Sequence, residues 1–311
     1  MKKISVFLIV FAILVVFAFD RAVTRPNELN EKVFVIVPKG AGLGSVSDIL
    51  HKENVVSNPL IFKVLGRVNG MHKTLKAGEY EFLPKMSMVD VMKKMARGEV
   101  YSRKITFPEG ITTRQFLDIV RDAEFLSGEI SVEVKEGELL PETYTYTRGT
   151  SRNEVIERAK NAMEKVKSEA WANRETGLPL KNINEMMILA SIIEKEAFGP
   201  TAMSNISSVL HNRLDAGMQL QCDVTIIYVE GAIKPFISGD VNRYNSYYNT
   251  YKCPALPAGA ICNPGLAAIE SALNPANTNY FYFVTDKNNN YYWAETWAGH
   301  EENVAYTKSI A

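Results

Sequence analysis

The chain has little of what metal sites, redox centres or charge-driven partners require. Only four histidines and three cysteines occur in 311 residues. His51, His72, His211 and His300 show no ligand spacing, so no metal is expected. Cys222, Cys253 and Cys262 are an odd set without a zinc pattern. At most one intramolecular disulfide can form among them, and their bland role is as small buried hydrophobes. An excess of charge is missing as well, because 35 basic and 35 acidic side chains cancel. Without a net field, and without a Lys/Arg cluster interleaved with aromatics, nucleic acid is excluded as a partner. A phosphate loop is also lacking. Gly40-Ala41-Gly42-Leu43-Gly44 sits between a strand and a helix, but it has neither the third-glycine spacing nor a Gly-Lys-Ser/Thr ending. It reads as a turn, and no cofactor is expected.

What is present begins with an apolar stretch, Ile4 to Phe19, broken only by Ser5 and preceded by Lys2 and Lys3. A hydrocarbon core about 30 Å thick asks for roughly 20 apolar residues, so this run is a slightly short span or a signal segment. No small-x-small cleavage site follows, and Asp20-Arg21 marks the exit. The expectation is an uncleaved single-pass anchor in the cytoplasmic membrane, with Lys2 and Lys3 inside and the bulk of the chain exported.

Beyond a polar linker the pattern is α+β, since strands and helices do not alternate regularly enough for a parallel sheet. Val33–Val37 reads as a strand, Ser45–Asp48 as a capping box opening a helix, Pro59–Val68 as a helix and Glu79–Phe82 as a strand. Ser87–Asp90 caps a further helix ending at Gly98. The first of these units then recurs. Ile105-Thr106-Phe107-Pro108-Glu109-Gly110 echoes Ile36-Val37-Pro38-Lys39-Gly40, and Thr112–Gln115 supplies another capping box. Two copies are too few for a solenoid, so this is a duplicated element. A long amphipathic helix follows from Asn153 to Arg174.

The segment Asn182 to Pro200 is the best candidate for chemistry. Asn182 can cap a helix, with Glu185 completing the box. Met186 to Ile193 is apolar except for Ser191, which predicts a helix buried on nearly all sides. Glu194 arrives in its last turn, desolvated and near the negative end of the helix dipole. Both effects favour the protonated carboxyl that a general acid needs. Taken alone, the Glu194-Lys195-Glu196 tail fits a frayed helix end more readily than a catalytic one. Downstream loops rich in amides, hydroxyls and aromatics change that balance, because such groups hydrogen-bond sugar hydroxyls and stack on sugar faces.

In order, these segments closely resemble the YceG-like family of endolytic murein transglycosylases. The resemblance rests on Leu140-Pro141-Glu142-Thr143-Tyr144, Ala190–Glu196, Asn212-Arg213-Leu214, Leu220-Gln221-x-Asp223-x-Thr225, Tyr248-Asn249-Thr250-Tyr251 and Asn263-Pro264-Gly265. It covers essentially everything from Val33 onward. With the anchor read over residues 1–20 and the linker over 21–32, it implies a LysM-like glycan-binding module over 33–103 and a catalytic domain over 104–311. It further implies that Glu194 is the catalytic acid/base for a cut between N-acetylmuramic acid and N-acetylglucosamine. The product is a 1,6-anhydro end, and the partners are peptidoglycan strands and the cell-wall synthases that make them. Gln221, Asp223, Tyr248, Asn249, Thr250 and Asn263 are the expected substrate contacts. Cys222, Val224, Ala255 and Ala258 depart from the family's usual residues, which bears on sugar subsites but not on the acid.

One carboxylate suffices for that reaction. Ordinary glycosidases need two, to activate water or trap the sugar. Here the muramic C6 hydroxyl attacks its own anomeric carbon, and a well-placed internal nucleophile supplies an effective molarity of ~10⁵ M or more. Two other functions fit the residues: a hydrolase using Asp223 or Glu142 as second acid, and a non-enzymatic wall tether.

Overall fold

The structure, a computed structural model, describes residues 2–229, 245–253 and 255–310. It is mixed α+β, as the pattern predicts. The N-terminal apolar run lies on α1 (Lys2–Thr24), whose side chains from Phe7 to Phe19 are exposed. Its 23 residues extend ~35 Å at 1.5 Å each, enough to cross a bilayer core. Asp20 and Arg21 do not end this helix. It continues to Thr24 because Val23 is only 5% exposed and packs into the core that follows.

The chain divides into two units, Met1–Lys104 with Thr145–Thr150, and Ile105–Tyr144 with Ser151–Ala311. In the first, β1 (Val33–Val37) is followed by α2 (Leu43–Lys52), α3 (Pro59–Val68), β2 (Gly78–Phe82) and α4 (Met88–Ala96). β1 and β2 pair antiparallel, with Val35 opposite Tyr80 and Val37 opposite Gly78. Val35, Val37, Leu50, Phe62, Tyr80 and Phe82 fill the space between sheet and helices. The helix expected to be capped by Ser45 starts three residues earlier. Leu43 is buried there, and Gly42, with no side-chain cap, precedes it. Burying Leu43 outweighs what the box would contribute. Ser87, by contrast, does cap α4 reciprocally with Asp90.

Glu79 on β2 is 3% exposed, yet it is charged. Arg103 donates to its Oε2, and Arg148 donates Nε and Nη2 to its Oε1 at 3.2 and 3.0 Å. Burial pushes its carboxyl up, but the two guanidiniums more than reverse that and hold it below the usual value. A lowered carboxyl stabilises the fold above its unfolded pKa and loses that contribution as pH falls through the folded one. Glu79→Gln should therefore cost about 1–2 kcal/mol at pH 7 and much less at pH 3, as read by urea unfolding.

The chain passes to the second unit through β3 (Ser102–Thr106) and returns through β4 (Thr143–Thr147), the two strands being hydrogen-bonded partners. α5 (Thr113–Asp122) follows β3, capped by Thr112 and Gln115. The duplicated strand–turn–helix thus forms twice, and Gly40 and Gly110 take left-handed backbone (φ 80° and 74°) at matching places.

At the centre of the second unit, α7 (Ile183–Glu196) is buried continuously from Met186 to Ile193. Against it pack α6 (Arg152–Ala172), α8 (Pro200–Asp215) and α10 (Leu266–Leu273). The short α9 (Asp223–Val229) precedes α10. A hairpin of β5 (Tyr282–Thr285) and β6 (Tyr291–Ala294), then α11 (Trp297–Ser309), complete the chain. Asn182 caps α7 through the Glu185 N–H at 3.0 Å. The return half of that box slips by one residue, for Glu185 accepts from the Lys181 N–H at 2.7 Å.

Candidate active site

Two loops close on the C-terminal turn of α7. The first is the turn Pro108-Glu109-Gly110-Ile111, the second copy of the duplicated element. The other runs from Gly259 to Gly265. They pair with each other, the Gly110 N–H donating to the Asn263 carbonyl at 3.0 Å and the Asn263 N–H to the Ile111 carbonyl at 2.9 Å. Ser191, the polar exception in the apolar run, anchors the second loop. Its Oγ accepts the Ile261 N–H at 3.0 Å while donating to the Ile188 carbonyl at 2.8 Å.

Glu194 is half-buried where these pieces meet. Its Oε2 accepts the Gly265 N–H at 2.9 Å. Gly110 lies so close that a Cβ there would stand 3.3 Å from Glu194 Cγ and 3.7 Å from its Oε1. Lys195 reaches round to donate to the Gly110 carbonyl at 3.3 Å. Burial is the main influence raising the Glu194 pKa. The Gly265 N–H opposes it, Glu109 adds to the rise and Lys195 opposes. Among the described residues a single donor sits on one oxygen, which leaves a carboxyl that can hold a proton and release it.

Asn263 is fully buried, and its amide is engaged by protein. Oδ1 accepts the Leu139 N–H at 3.0 Å, and Nδ2 donates to Thr113 Oγ1 at 3.1 Å and to the Ile111 carbonyl at 3.3 Å. It braces the loops around Glu194. Glu136 shares this bracket. Its Oε1 accepts the Thr113 N–H at 2.6 Å, and its Oε2 the Tyr228 hydroxyl at 3.3 Å. Burial pushes its carboxyl up. Tyr228 in turn meets the Tyr248 ring, centroids 5.2 Å apart. Tyr248 needs Gly259, since a Cβ there would lie 2.7 Å from its hydroxyl.

The remaining expected residues form a second cluster around the start of α9. Thr250, fully buried, accepts the Cys222 N–H at 2.9 Å and meets Thr225 Oγ1 at 3.0 Å. Asn249, also buried, accepts the Tyr251 N–H at 3.0 Å. Tyr251 donates its hydroxyl to Asp223, whose carboxyl burial pushes up. Gln221 is exposed, on left-handed backbone (φ 53°), its N–H donating to the Thr250 carbonyl at 3.2 Å. Of the six expected contacts, Tyr248 joins the Glu194 surroundings through Tyr228 and Glu136, while Asn263, Asn249 and Thr250 spend their polar groups inside the protein. Cys222 and Cys262 are buried free thiols, and Cys253 is free and half-buried.

Glu196 belongs to this second cluster. The sequence makes it a bystander about 200° round the helix from Glu194. That angle instead turns its carboxyl toward Cys222, Val224, Asp223 and Arg213. Burial first, and the Asp223 charge next, push it up to about 7. Tyr291 pins the same turn, donating to the Glu196 carbonyl at 2.9 Å and accepting the Phe198 N–H at 2.8 Å. A carboxyl raised on folding stabilises the protein below its unfolded pKa and loses that help as pH rises through the folded one. Glu196→Gln should therefore gain stability relative to the parent between pH 5 and pH 8. Melting temperatures at both values, which should converge or cross in the variant's favour at pH 8, check this.

Glu109, Gly110 and Glu136 were not among the expected site residues. The signal for the first two was present in the echo of Pro38-Lys39-Gly40 by Pro108-Glu109-Gly110.

A "YceG-like family" profile matches residues 35–306. An endolytic murein transglycosylase of Streptococcus pneumoniae serotype 2 (strain D39) is 30% identical over 332 residues, covering 90% of this chain. This chain spans only 59% of that protein's length. A protein of the same name from Bacillus subtilis (strain 168) is 26% identical, over 95% of this chain and 90% of its own length. A crystal structure of a yceG-like protein from Listeria monocytogenes superposes with a TM-score of 0.55 at 30% identity, over 88% of this chain and 99% of that one. With its profile matched from the first strand to the last helix, the chain belongs to the YceG-like family.

Proposed function

We propose that this protein is an endolytic murein transglycosylase that cuts between N-acetylmuramic acid and N-acetylglucosamine and leaves a 1,6-anhydro end. The observation that carries this is the setting of Glu194: desolvated, at the end of a buried helix, with one oxygen on the Gly265 N–H and the other beside Gly110. Such a carboxyl protonates the departing glycosidic oxygen, then takes the proton from the muramic C6 hydroxyl as that hydroxyl closes on the anomeric carbon. The relatives named endolytic murein transglycosylase support the same substrate.

Tyr248 and the exposed Gln221 are the groups left to hold sugar; Asp223, Asn249, Thr250 and Asn263 shape the loops that present them. α1 serves as a single-pass anchor in the cytoplasmic membrane, with the rest of the chain on the outer side. Residues 33–103 act as a LysM-like glycan-docking module and 104–311 as the catalytic domain. The strand–helix–helix–strand order of β1, α2, α3 and β2 around its own core supports a self-contained module there. Cleavage within nascent strands places the protein beside the synthases that extend them.

The test is product analysis by mass spectrometry after incubating the purified protein with murein. Anhydro-muramic ends are expected. Reducing muramic ends would make it a hydrolase, and bound murein without new ends would make it a tether.

A further inference from the structure

Glu109 and Glu194 flank one glycine. The Gly265 N–H points at Glu194 Oε2, 2.9 Å away. On the same residue's bare Cα rests the Glu109 carboxyl, because a Cβ at Gly265 would fall 1.9 Å from Glu109 Oε1 and 2.3 Å from its Cδ. The next residue after Glu109, Gly110, lies against the Glu194 side chain. Two carboxyls thus meet at one backbone unit in opposite settings, Glu194 half-buried and Glu109 exposed. A desolvated carboxyl beside a second carboxyl gives up its proton less readily.

We propose that Glu109 is the electrostatic partner of Glu194, a positioning carboxylate whose charge, lodged against Gly265, keeps the Glu194 carboxyl in its proton-donating form. This rests on the transglycosylase reaction proposed above. Among the described residues, the other charged or titratable groups acting on Glu194 are few. Lys195, beside it on α7, pulls the opposite way. Cys262, on the loop that carries Gly265, is held neutral by burial. Glu136 also acts on Cys262, from behind Asn263. α10, which follows Gly265, has no acidic residue in its first turn. After burial and the Gly265 N–H, Glu109 and Lys195 are therefore the opposed charges that tune the proton on Glu194, and Gly265 lacks a side chain so that the first of them can approach.

The experiment is the pH profile of anhydro-end formation by the full chain in detergent, on purified glycan strands. Activity falls on the alkaline limb as Glu194 loses its proton. Glu109→Gln should move that limb to lower pH, costing about threefold at a fixed pH on it, the size expected of one screened charge nearby. Glu109→Asp should stay near the parent. Lys195→Met should move the limb to higher pH. Gly265→Ala, which pushes the Glu109 carboxyl away without removing it, should move it down as Glu109→Gln does. Raising the salt should shrink all three shifts. A limb unmoved by Glu109→Gln, or moved the same way by Glu109→Gln and Lys195→Met, overturns the proposal. Titration of the Glu194 carboxyl followed by ¹³C NMR in Glu109→Gln decides the same question without activity. An active Glu194→Gln would sink the catalytic assignment, whereas an unshifted carboxyl titration sinks only the role of Glu109.

Discussion

Glu194→Gln should abolish anhydro-muramic end formation almost completely while leaving a folded protein. Glutamine keeps the volume and an oxygen for the Gly265 N–H, now 2.9 Å from Oε2, but has no proton to give. Loss of general acid–base help costs ~10²–10⁴-fold. Stability should move the other way. Burial raises the Glu194 carboxyl, so its ionised form is a liability to the fold at neutral pH. The neutral amide should melt at the same temperature or slightly higher, with the gain growing from pH 5 to pH 8. Glu196→Gln makes the contrast, since its carboxyl meets Asp223 and Arg213 rather than Gly265. Its activity should stay far above that of Glu194→Gln. Comparable loss in both would show that the turn, and not one carboxyl, is what matters.

The legible part of this protein was whatever depends on local pattern. The apolar run Met186–Ile193 announced a buried helix, and burial of that helix makes Glu194 a desolvated group. Capping boxes at Ser87 and Thr112 placed two helix starts correctly, because a side chain three residues from its partner needs no tertiary help. At Ser45 the same motif misled, since the buried Leu43 drew the helix start back. The site's surroundings were hidden for a different reason. Glu109 lies 85 residues from Glu194 and Gly265 lies 71 beyond it (109 to 194, 194 to 265), and no spacing rule links such positions. Amide-rich loops also look alike in a sequence whether they face sugar or brace each other. In this structure Asn249, Thr250 and Asn263 make contacts of the second kind.

Asn263→Ala should show how much that bracing matters, and it should be the most destabilising of the changes considered. Asn263 is wholly buried and holds two segments at once: Leu139 through Oδ1, and the Ile111–Thr113 turn through Nδ2. Alanine would leave the buried Leu139 N–H without its acceptor, a cost of about 1–3 kcal/mol by itself. The emptied volume adds to this, so a loss of about 2–4 kcal/mol in urea unfolding is expected. Activity should fall at least tenfold even where the protein remains folded, because Gly110 and Gly265 flank Glu194 and both hang on this residue's segment. Asn263→Asp separates the two contributions. It keeps an acceptor for Leu139 but turns a second carboxylate toward Glu136 Oε1, which lies 3.5 Å from Nδ2. Like charges at that distance cannot both ionise cheaply, so this variant should be near the parent at pH 5 and lose stability as pH rises to 8. If Asn263→Asp is instead indifferent to pH, Glu136 and Asn263 do not share the site as the geometry has them. If Asn263→Ala unfolds no more easily than the parent, the loops that seat Glu194 are held by something else.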